Sequence, residues 1–111
     1  MNWIKVGFLS ESDCEFSKYN KTIGLFRAIL NDEIVYIGMA TEISNGGLQK
    51  RLRDFTRDSN SARKYQAGEK MNFNKDKLII EIVEMNDKDK KFIENKKQEE
   101  ISKTTPKWNT F

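Results

Sequence analysis

Ile23-Gly24-Leu25-Phe26-Arg27-Ala28-Ile29-Leu30, Asn31-Asp32 and Glu33-Ile34-Val35-Tyr36-Ile37-Gly38 follow one another without a break, and the architecture is read outward from them. Two runs rich in β-branched, aromatic and other apolar residues flank a short polar turn, which predicts an antiparallel hairpin. Upstream, Trp3-Ile4-Lys5-Val6-Gly7-Phe8-Leu9 has the same character and predicts a first strand. Residues 10–21 (SESDCEFSKYNK) are polar and turn-prone and read as a long loop. Downstream, Ser44-Asn45-Gly46-Gly47 signals a turn into a helix over 47–58, with Leu48, Leu52 and Phe55 at helical spacing. A second short helix is expected over Ala62–Glu69, stopped near Gly68. In Leu78-Ile79-Ile80-Glu81-Ile82-Val83 the apolar residues barely alternate, so this strand is expected to be buried on both faces. Asn86 or Asp87 is the expected cap of a last helix over 88–103, with Phe92, Ile93 and Ile101 as its apolar positions and Pro106 beyond its end. The order predicts an α+β domain, a small antiparallel β-sheet flanked by helices.

Composition narrows the chemistry. The chain has 111 residues, so residues 1–111 are read as a single domain. Its hydrophobic content is 37% and its charged content 33%, which requires a compact core. No apolar run approaches the roughly 20 residues of a membrane span, and the N-terminus lacks a signal-peptide core, so the expected home is the cytoplasm. One cysteine, Cys14, excludes an internal disulfide and reads as an uninvolved thiol. The absence of histidine excludes Ser-His-Asp and Cys-His machinery, a histidine metal site and an imidazole base. Acid–base work would fall to carboxylates, tyrosines, lysines or metal-bound water.

Gly24-Leu25-Phe26 on one strand precedes Tyr36-Ile37-Gly38 on the next. Lys50-Arg51-Leu52-Arg53-Asp54-Phe55 follows on a helix, and Ile101 with Pro106-Lys107-Trp108-Asn109 closes the chain. In this order, and over residues 22–110, the chain resembles the GIY-YIG nuclease family. The resemblance implies that family's α+β fold and divalent-metal-dependent hydrolysis of DNA phosphodiesters. It implies Tyr36 in water activation, Arg51 on the phosphate, a glutamate of the last helix on the metal, and Mg²⁺ or another divalent ion as cofactor. These residue types suit such chemistry, since a metal neutralises the phosphate and a guanidinium offers its oxygens paired hydrogen bonds.

The sequence departs from that pattern at chemically telling places. Phe26 stands where the family has tyrosine, Met39 where lysine is frequent, and Phe55 where tyrosine or histidine is common. The family's glutamate position, twelve residues before Asn109, is Lys97. A protonated lysine cannot ligate a hard metal. Glu94 and Glu100 lie about 60° to either side of Lys97 on a helix and are the candidate metal ligands.

Charge is concentrated rather than abundant. Net charge is only +3, yet segment 49–64 holds six basic residues against Asp54 and Asp58. Lys50, Arg53, Arg57, Arg63 and Lys64, with Asn109, are the candidate nucleic-acid contacts, and Arg53 and Arg57 form a ridge suited to backbone phosphates. The same charges would also suit a solvated helix face. Trp108 is expected to pack on the hairpin, or else to offer a stacking platform. Two readings follow: a small metal-dependent endonuclease, or a catalytically degenerate module that keeps the basic groove. A third is a protein-interaction domain. Without an added recognition element, sequence specificity would need a homodimer or a protein partner.

Overall fold

The computed structural model describes residues 1–12, 15–57 and 66–109, and of residues 45 and 66 the backbone alone. Four strands, β1 (Ile4–Phe8), β2 (Gly24–Leu30), β3 (Glu33–Ala40) and β4 (Ile79–Glu84), form one antiparallel sheet in the order β1-β4-β2-β3. Helices α1 (Gly47–Asp54) and α2 (Gln66–Phe73) precede β4, and α3 (Lys90–Thr104) follows it. The α+β class and the strand–helix order are those read from the sequence.

β2 and β3 are joined by Asn31 and Asp32, both at positive φ (51° and 64°), the backbone of the turn that matches strand twist. Past the turn the register slips: Ala28 faces Tyr36 but Ile29 faces Ile34, so Val35 is an extra, bulged residue. The bulge lets the consecutive side chains of Val35 and Tyr36 pack against one cluster instead of alternating. That cluster, with Phe26, Ala28, Ile80 and Ile82 of the sheet, is covered by Leu48 and Leu52 of α1 and Met71 of α2. Leu25 points to the other face and meets Ile93 of α3. The sheet is therefore clothed by α1 and α2 on one side and by α3 on the other.

Close approach explains two glycines. A Cβ on Gly24 would stand 2.0 Å from the Val83 carbonyl oxygen, on the neighbouring central strand. A Cβ on Gly38 would stand 2.4 Å from Cζ of Phe26, whose ring lies across that position from the facing strand.

β3 is an edge strand, and the C-terminal tail covers its outer side. Trp108 N–H donates to the Val35 carbonyl (2.9 Å). The Asn109 side chain accepts from Ile37 N–H (3.0 Å) and donates to the Ile37 carbonyl (2.9 Å). An edge left bare would offer these groups to another chain. Trp108 also packs against the main cluster, as expected of a residue docked on the hairpin.

Several local expectations are corrected. The stretch read as a polar loop carries two 3-10 turns, Leu9–Glu11 and Ser17–Tyr19, and buries Phe16 and Tyr19 in the core. α1 stops at Asp54 because Phe55 N–H and Thr56 N–H tighten onto the carbonyls of Leu52 and Arg53. Of the helix expected over Ala62–Glu69, residues 62–65 lie outside the described residues, and α2 does not stop near Gly68, which is buried inside it, but runs on to Phe73. β4 alternates: Ile80 and Ile82 are buried, whereas Ile79, Glu81 and Val83 are half-buried on a face that holds an ion pair. Asp89 caps α3 by accepting from Phe92 N–H, and Asn86 accepts from Ile23 N–H instead. Phe92 is exposed, while Ile93 and Ile101 are buried as expected.

Candidate nucleic-acid interface

Where β3 ends, between α1 on one side of the sheet and α3 on the other, lies a cleft of about 320 Å³. Tyr36 and Gly38 come to it from β3, followed by Met39 to Glu42 at the strand's exit. α1 supplies Lys50, Arg51 and Asp54, and α3 supplies Lys90 and Lys97. Lys90 and Lys97 are seven residues apart, two turns of one helix face.

Beneath the cleft sits a triangle of rings. Phe26 and Tyr36 are 6.0 Å apart between centroids, Phe26 and Phe55 6.1 Å, and Tyr36 and Phe55 6.2 Å, tilted or edge-on to one another. Such geometry aligns positive ring edges with negative faces. Phe26 is fully buried, so the position where the family carries a hydroxyl is here part of the core. Arg51 lies over Phe55, its guanidinium carbon 6.0 Å from the ring centroid. Burial pushes the Tyr36 hydroxyl above its ordinary pKa, and the positive charge of Arg51 pulls the other way. Tyr36 is thus a neutral phenol at neutral pH, able to donate or accept a hydrogen bond.

Arg51 and Tyr36 are brought together. Lys50 joins them at the rim, bound to Asp54 at 2.9 Å, one turn along α1. Arg53 is half-buried and Arg57 exposed, and neither lines the cleft. Arg63 and Lys64, and Cys14, lie outside the described residues. Asn109 has both ends of its amide engaged with the Ile37 backbone, directly behind the strand that bears Tyr36.

The glutamates are not brought to the cleft. Glu94 is exposed, and Glu100 is buried against the sheet side of α3, its carboxylate 3.8 Å from Lys103 on its own helix. The carboxylates that do line the cleft are Glu42 and Asp54, and Asp54 is held by Lys50. Among the described residues no three acidic, cysteine or histidine side chains converge as a metal shell. A hard divalent cation asks for an oxygen-rich shell and would here face four cationic side chains. The residues present do not fit such an ion.

Lys90 and Glu42 had no place in the sequence reading. Lys90 could have been found from its seven-residue spacing to Lys97. Glu42 carries no signal, since it sits on the irregular exit from β3.

The sequence matches no family model and no curated protein. Among solved structures, the chain is similar to the GIY-YIG N-terminal endonuclease domain of UvrC from Thermotoga maritima bound to magnesium. Identity is 18%, covering 90% of this chain and 97% of that one, with a TM-score of 0.60. A tyrosine-to-phenylalanine point mutant and an asparagine-to-alanine point mutant of the same domain, each bound to its catalytic divalent cation, are 19% and 17% identical. Both cover 91% of this chain and 97% of theirs, with TM-scores of 0.61. The fold is that of the GIY-YIG endonuclease domain.

Proposed function

We propose that this chain is a nucleic-acid-binding module of the GIY-YIG fold that holds a DNA phosphate by direct charge, without a metal and without cleaving it. The observation that carries the reading is Lys97, which lines the cleft with Tyr36 and Arg51 while Glu94 and Glu100 stay out of it. An ammonium beside a guanidinium attracts a phosphate, which a metal would otherwise neutralise. Arg51 is suited to grip two phosphate oxygens, Lys97 and Lys90 to act as point charges, and the Tyr36 hydroxyl to donate one hydrogen bond. Contacts of this kind hold the backbone and carry no base information, so binding is expected to be weak, salt-sensitive and indifferent to sequence.

The second reading is a metal-dependent endonuclease. It is favoured by the adjacency of Tyr36 and Arg51 and by the solved structures of the same fold, which are endonuclease domains bound to a divalent cation. For that reading a glutamate must reach the cleft from α3. Plasmid nicking separates the two. With Mg²⁺ or Mn²⁺ the binding reading expects no cleavage by the wild type. Wild-type cutting that Glu94→Ala or Glu100→Ala abolishes would establish the enzyme instead.

A further inference from the structure

Lys50, Arg51, Lys90 and Lys97 line the cleft against Glu42 and Asp54, so cations outnumber carboxylates by two. Lys50 and Asp54 satisfy one another. Among the described residues Arg51, Lys90 and Lys97 enter no ion pair. An internal phosphodiester offers a single negative charge to this excess, whereas a phosphomonoester carries about −1.5 to −2 near neutrality. The space is also small, about 320 Å³, at the lower end of the roughly 300–1,000 Å³ typical of ligand cavities. That suits one phosphate and the sugar it carries better than a run of successive backbone phosphates. The walls differ too: Met39 and Ala40 present apolar surface beside the cations, which a sugar or base can cover.

We infer that the cleft selects a phosphomonoester dianion, borne by the end of a nucleic-acid strand or by a free nucleotide, over an internal phosphodiester. The inference rests on the phosphate-binding reading above and gives its ligand class. Charge matching sets the preference: the second negative charge meets an ammonium or guanidinium that no carboxylate of the described protein neutralises.

The test is fluorescence anisotropy of the intact chain with one short labelled oligonucleotide, carrying a 5′-phosphate, a 3′-phosphate or hydroxyl ends only. A phosphate on one of the ends should tighten binding about tenfold. Lowering the pH to about 5, past the second phosphate pKa near 6, should erase the advantage. The chain has no histidine to titrate over that interval, and the hydroxyl-ended strand, read at both pH values, subtracts any change in the protein's own charges, the terminal amine and the cleft carboxylates Glu42 and Asp54 included. Lys97→Gln should remove the advantage, and Lys91→Gln, on the exposed side of α3, should leave it intact. A nucleoside monophosphate that displaces the strand at comparable concentration would assign the ligand to a free nucleotide, and one needed in large excess would assign it to a strand end. Equal affinity for all ends, with Arg51→Ala and Lys97→Gln weakening every strand alike, would overturn the inference and leave the phosphate-binding reading standing. Binding indifferent to both variants would overturn that reading itself. Should Lys97→Gln fail to fold, the comparison of ends and of pH in the wild type decides the matter alone.

Discussion

Arg27 and Arg51 both lie on aromatic rings, and the molecule treats their charges in opposite ways. The Arg27 guanidinium sits 4.3 Å from the centroid of Trp3 and is bound to Glu81 at 2.6 Å, directly across the β2–β4 ladder. Both side chains are only 20% exposed. Arg51 sits 6.0 Å from the Phe55 centroid, exposed at the cleft, with no carboxylate of the described protein paired to it. The aromatic contact is common to the two, so it does not separate them. The carboxylate does. A charge satisfied within the fold contributes to stability and has nothing left for a ligand, while one held in place by a ring and left without a counter-ion is available to an anion.

The contrast can be broken most severely at Glu81. Replacing it with alanine strands a largely buried guanidinium, and about 2 kcal/mol of stability should be lost in urea unfolding. DNA affinity under native conditions should not move. If affinity fell with it, the two arginines would belong to one system.

Arg51→Ala should show the reverse. Affinity should fall about tenfold, or about 1.4 kcal/mol, while stability changes by no more than about 0.5 kcal/mol. A large stability loss without a change in affinity would give Arg51 the role assigned to Arg27.

The smallest effect sharpens the contrast at Tyr36. Burial raises its pKa above the ordinary 10.0, so the folded protein keeps a proton that the unfolded chain releases first. Stability from this group is complete below that ordinary value and declines as pH climbs through it toward the folded one. Arg51 opposes the shift, so Arg51→Ala should move the Tyr36 titration, followed by its ring carbon resonance, further upward. A downward movement would place Arg51 away from the hydroxyl.

What the sequence revealed follows from which interactions are local. The hairpin was legible because turn residues and β-rich runs act within a few positions, and Arg51 was placed because Leu48 and Leu52 fix the buried side of α1. The bulge at Val35 was not, since it depends on how β3 meets β2 across the sheet. Phe16 and Tyr19 were hidden among polar neighbours, and only the folded chain shows that their rings reach the core. The α3 cap falls on neither of the two residues the sequence offered: Asn86 is drawn off by Ile23, 63 residues away in sequence, and Asp89, beyond both, takes the role. Likewise, the helical spacing that put Glu94 and Glu100 beside Lys97 could not say which side of α3 faces the cleft. Packing of Ile93 and Ile101 decides that, and it turns Lys97 toward the cleft with Lys90.

The central claim is that Lys97 and its neighbours hold phosphate in place of a metal, and DNA binding measured in EDTA and again in Mg²⁺ addresses it most directly. At matched ionic strength the account predicts binding that persists in EDTA and is no tighter in Mg²⁺, with Lys97→Gln weakening it in both. Binding that disappears in EDTA and returns with Mg²⁺ would contradict it.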